Sequence, residues 1–147
     1  DAMGVAILGE ALAFYLAPRL FSRSGAAPWV LGSLAISALR WWLTATVSDP
    51  GWLVLLQGLH FFTFGVWYAA AIDRIGAFAG DELRATYQGV FSAGVLALGS
   101  TLGTYASGWL MEFAGGSAVF GAAAVCDLVA LVVAASSWRL WATSEIR

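Results

Sequence analysis

Lysine is absent from this chain, and cysteine and histidine occur once each, as Cys126 and His60. Each scarcity closes a class of function. Without lysine, and with a formal net charge of −2, there is no basic surface to track a nucleic-acid backbone. One cysteine cannot build a disulfide framework, and one cysteine with one histidine falls short of a tetrahedral zinc set. No metal or cofactor site is expected. An intramembrane enzyme would need a nucleophile or metal constellation around His60, and the sequence offers none. Charge is scarce overall: 11% of the 147 residues are Asp, Glu, Lys or Arg, against about 25% in an ordinary soluble domain. No basic n-region and small-residue cleavage pattern marks a signal peptide at the amino end.

What fills the chain instead is apolar. Hydrophobic residues make up 61% of it and the mean hydropathy is +0.81. Five apolar runs stand out, at about 3–17, 28–47, 51–73, 85–110 and 118–140. A helix rises about 1.5 Å per residue, so a run of about 20 crosses a ~30 Å hydrocarbon layer. The fold class expected is all-α, a polytopic transmembrane bundle of five spans. The first run is short for a crossing. Breakers separate the runs: Pro18 to Pro28, Ser48-Asp49-Pro50-Gly51, Gly76 to Arg84, and Glu112 to Ser117. In the fourth run Gly99, Gly103 and Ser107 recur every four residues, a stripe that admits a close helix neighbour.

Arginine sets an orientation. Arg19, Arg23, Arg74, Arg84, Arg139 and Arg147 all fall in loops on one side of such a bundle, and none on the other. Positive-inside bias makes that side, and the carboxyl terminus, cytoplasmic. The seventh arginine, Arg40, lies within the second run.

Four ionisable residues interrupt the spans: Glu10, Arg40, His60 and Asp127. Such groups are costly in lipid and mark functional positions by default. Arg40 lies about 18 Å, and His60 about 20 Å, from the same membrane face, so an antiparallel pair of helices sets them level. Asp127 comes to that level too, and Glu10 lies a turn or two nearer the cytoplasm. A lone arginine is untenable in lipid, so Arg40 is expected to pair with Glu10 or Asp127. His60 titrates near neutrality and can relay a proton. Trp67 shares a helical face with His60, as Phe64 nearly does. These aromatics and Thr63 are candidate pocket residues. In the rival reading the chain is a non-transporting membrane interaction module, whose charges hold helices together.

Several motifs carry a resemblance. Gly9-Glu10, Ala17-Pro18, Arg23-Ser24-Gly25, Leu39-Arg40, Leu55-Leu56-Gln57-Gly58-Leu59-His60-Phe61, Glu82-Leu83-Arg84-Ala85-Thr86, Gly108-Trp109-Leu110 and Gly115-Gly116 resemble the carboxyl-terminal part of a major facilitator superfamily transporter. The similar branch is that of lactose permease and phenylpropionate permease. The resemblance implies that the five spans are helices 8–12 of a twelve-helix fold whose amino-terminal half is missing here. It implies secondary transport of a small organic solute, such as an aromatic acid or sugar, by proton symport in the bacterial inner membrane. It further implies that Arg40 and His60, with Glu10 or Asp127 supplying a carboxylate, bind solute or couple proton movement. The permease carries its proton on a glutamate three residues after the histidine, where this chain has Thr63. The permease's acid on helix eight falls where this chain has Ile7. The implied partners are the lipid bilayer, a small solute and the proton.

Overall fold

The computed structural model describes residues 2–137, and these are helical almost throughout. Helix α1 runs Ala2–Ser24, α2 Ala27–Thr46, α3 Pro50–Gln57, α4 Trp67–Phe91 and α5 Gly99–Ser136. Two π-helical segments, Phe61–Val66 and Ser92–Leu98, are inserted before α4 and α5. Local chemistry explains the starts. The Asp49 carboxylate caps α3 by accepting from the Gly51 and Trp52 N–H groups at 2.7 and 3.2 Å, while Pro50 occupies the first turn, where its missing N–H costs nothing.

Three of the breaks fall at glycines. Gly25, Gly80 and Gly115 have φ of 70°, 67° and 78°, in the region a side chain resists. Gly80 and Gly115 divide what is otherwise one helical stretch, Pro50–Ser136, long and apolar enough to cross a membrane. At Gly80 the chain turns back on itself: Phe78 packs on Tyr87, and Trp67 and Tyr68 on Phe91. The expected loop at 76–84 is therefore one glycine wide. The expected loop from Pro18 is shorter as well, because α1 continues through Pro18 to Ser24. A proline deletes one backbone hydrogen bond, and this helix survives that loss. Arg139 and Arg147, and the last part of the fifth run, lie outside the described residues.

Contacts fix the relative directions. Glu10, Ala13 and Phe14 of α1 meet His60, Gly65 and Tyr68 in ascending order, so these segments run parallel. The second half of α5 runs antiparallel to α2, with Ser117 donating to the Ala45 carbonyl at 2.7 Å and Phe120 stacking on Trp41. Small residues make the interfaces: Ala13, Ala17, Ala26, Ala27, Ala38, Ala70 and Ala124 are buried. Large apolar residues face outward, among them Leu12, Trp42, Leu102, Trp109 and Val132. That inversion suits helices packed in lipid, where close backbone approach replaces a greasy core. A Cβ at Gly99 or Gly103 would meet nothing, so the small-residue stripe faces open space among the described residues.

Candidate functional site

The site grows from an interruption in the helical stretch that begins at Pro50. Between α3 and the first π-helical segment the backbone tightens, with Gly58 and Leu59 N–H donating to the Leu55 and Leu56 carbonyls three residues back. The Leu56 carbonyl also accepts from Nε of Arg40 at 3.2 Å. Arg40 reaches it from α2, where it is 4% exposed.

The guanidinium spends its remaining donors on the same stretch. Nη2 donates to Oε1 of Gln57 at 2.7 Å, and Nη1 to Oγ1 of Thr63 at 3.1 Å. Nη1 also lies 3.4 Å from Nδ1 of His60. The Trp41 ring packs 4.5 Å from Cζ and adds a cation–π contact. On its far side His60 places Nε2 2.9 Å from Oε1 of Glu10. Arginine is only a donor, so the network assigns Nδ1 as acceptor and the proton to Nε2, which donates to Glu10. The result is a continuous chain from the Glu10 carboxylate through neutral His60 to Arg40.

Arg40 therefore bonds neither carboxylate directly. Glu10 is taken by His60, and Asp127 faces the guanidinium through electrostatics without an ion pair inside 4 Å. The expected direct pair is replaced by neutral acceptors, because an arginine at this depth meets the polar groups of the broken helix first. Asp127 lies within hydrogen-bonding reach of Ser37. Its Oδ2 is buried and has no partner, as is Oγ of Ser33. A cavity of about 300 Å³ opens there, lined by Ser33, Ser37, Thr63, Phe64, Trp67 and Asp127 among others.

The π-helical segment changes what the periodicity implied. In its wider turn Phe64 stacks on His60, centroids 5.6 Å apart and rings 5° from parallel, and Tyr68 stacks on Phe64 at 5.7 Å. Trp67 turns instead toward Phe91 and the cavity. Gly65 makes the segment's tight contact with α1: a Cβ there would run into Ala13 and come within 3.3 Å of the Glu10 Cα. Sequence reasoning gave no role to Gln57, Ser33, Ser37 or Tyr68. Ser33, Ser37 and Arg40 do fall at i, i+4 and i+7, a polar stripe on one face of α2 that is a signal for them in the sequence.

Comparison with known proteins supplies a context. A family model described as the MFS_1 like family matches residues 2–122. The chain is 30% identical over 112 residues to an Escherichia coli (strain K12) protein named "Probable 3-phenylpropionic acid transporter". The match covers 74% of this chain and 28% of that protein's length. No solved structure matches.

Proposed function

Since the chain belongs to the MFS_1 like family of the major facilitator superfamily, and so to a class of membrane transport proteins, we propose that it forms part of a secondary transporter for a small aromatic acid. The observation that carries this reading is Arg40: a buried cation with its hydrogen bonds arranged around it, one helix turn from a cavity with aromatic walls. In such transporters solute and coupling ion meet near the bilayer midplane, at interrupted helices, between two halves that rock about the site. The break between α3 and the first π-helical segment is such an interruption.

On this reading the five glycine- and loop-bounded passes are membrane spans, with the Arg19, Arg23, Arg74 and Arg84 end cytoplasmic, and a second half of the transporter closes the cavity. Arg40 attracts the solute carboxylate, Thr63, Phe64 and Trp67 hold its ring, and His60 with Glu10 adjusts local charge by taking or releasing a proton. The similarity to a protein named for 3-phenylpropionic acid favours that solute class.

The test is uptake of radiolabelled 3-phenylpropionate by proteoliposomes holding the full-length protein, with an inwardly directed proton gradient. Accumulation that Arg40→Gln lowers at least tenfold and a protonophore abolishes is the expected result. Uptake indifferent to both Arg40 and the protonophore overturns the role assignment and the coupling.

A further inference from the structure

The ionisable groups inside the bundle do not balance. Arg40 is one cation, Glu10 and Asp127 are two carboxylates, and His60 is neutral because its Nδ1 accepts from Arg40. One negative charge is left over. The Glu10 end is satisfied, since its Oε1 takes the His60 Nε2 proton at 2.9 Å. The Asp127 end is not: Oδ2 is buried without a partner, and so is Oγ of Ser33 in the same cavity. A buried carboxylate oxygen that no protein donor reaches must be satisfied by cavity water or lose its charge. The imbalance and the missing hydrogen bond fall on one atom.

We propose that this cavity is a proton-binding site, in which Oδ2 of Asp127 takes up a single proton, separately from the Glu10–His60 pair. A hydronium in cavity water gives its proton to the carboxylate and leaves a water molecule and a neutral carboxyl group. The carboxyl O–H becomes a donor, and the Ser33 hydroxyl and cavity water accept from it. A volume of about 300 Å³ holds several waters. The groups facing Asp127 allow this and nothing larger in charge. From α2 come Ser33, Ser37 and, electrostatically, Arg40; from the π-helical segment come Thr63 and Phe64; from α4 comes Trp67. His60 and Glu10 lie behind Arg40. With Arg40 already there, a metal cation would meet like charge, whereas a proton removes the carboxylate charge where it stands.

This assignment deepens the transport reading and rests on it for its purpose. An ionised Asp127 repels an organic anion from the cavity, and a protonated one admits it, so solute entry and proton uptake go together.

The test is infrared spectroscopy of the full-length protein in lipid, following the protonated-carboxyl C=O stretch as bulk pH is lowered. One such band is expected that Asp127→Asn removes, Asp127→Glu retains at a new frequency, Ser33→Ala shifts, and Glu10→Gln leaves in place. A band that persists in Asp127→Asn, or vanishes instead in Glu10→Gln, overturns the proposal. Suppression of the band by NaCl at constant pH also overturns it, in favour of a sodium site. If the Asp127 band behaves as expected while 3-phenylpropionate uptake is absent, the aromatic-acid reading falls and the proton site stands.

Discussion

His60 stands between a cation and an anion, with Nδ1 3.4 Å from Nη1 of Arg40 and Nε2 2.9 Å from Oε1 of Glu10. Its tautomer is therefore set from both sides, and the three groups, carried by three different helical segments, behave as one unit. Protonation of His60 would put two cations face to face, so proton arrival there must loosen the Arg40 contact.

Arg40→Lys keeps the charge and loses the fork. A lysine ammonium has three donors at one point and cannot reach the Leu56 carbonyl, Gln57 and Thr63 together as the guanidinium does. Uptake of 3-phenylpropionate should fall at least tenfold, roughly 1.4 kcal/mol in transition-state terms, close to the effect of Arg40→Gln. Near-native uptake in the lysine variant would show that charge alone suffices.

At Glu10 two substitutions separate hydrogen bonding from charge. Glu10→Gln preserves an acceptor for the His60 Nε2 proton and should cost about 1 kcal/mol or less. Glu10→Ala leaves that proton unpaired and should cost about 1–3 kcal/mol. Thermal unfolding in detergent, read with the single-substitution proteins side by side, measures the difference.

Gly65→Leu should separate α1 from the first π-helical segment, because even a Cβ there meets Ala13. Overpacking of this kind costs about 1–3 kcal/mol. Since Glu10 lies on the displaced face, the His60 signal in NMR should shift in Gly65→Leu and change little in Gly32→Ala, whose Cβ would meet nothing.

Gly80→Ala and Gly115→Ala test the two reversals. Both glycines combine φ near +70° with ψ near 180°, a region open essentially to glycine alone, and a side chain there costs about 1–3 kcal/mol. Each variant should unfold at a lower temperature, whereas Gly89→Ala, in open helical surroundings, should not.

Much of the architecture could be read from hydropathy because apolar runs and their breakers record where helices begin and end. The turn at Gly80 shows the limit of that record. A stretch as polar as Gly76 to Arg84 reads as a loop, yet its residues satisfy their backbone groups best by staying helical up to one glycine. Depth counting set Arg40 and His60 level, and it could not say which carboxylate each would meet. That choice depends on side-chain direction: His60 points to α1 and takes Glu10, while Arg40 turns to the Leu56 carbonyl exposed by the tightened backbone at Gly58. Taken singly, Ser33 and Ser37 carry no signal in the sequence because single hydroxyls in an apolar run normally bond their own backbone, and these acquire meaning only opposite Asp127.

The wide turn at Phe61–Val66 also puts this helical stretch out of phase with itself. Side chains before it and after it are rotated relative to one another by about the 100° that one extra residue contributes. Rewinding that turn to ordinary α-helix at unchanged length would rotate everything downstream and bring Trp67 onto the face of the imidazole, whereas deleting one residue would only absorb the wide turn and leave the downstream faces in place. The winding of one turn, rather than any exchange of side chains, thus decides how the chamber is furnished.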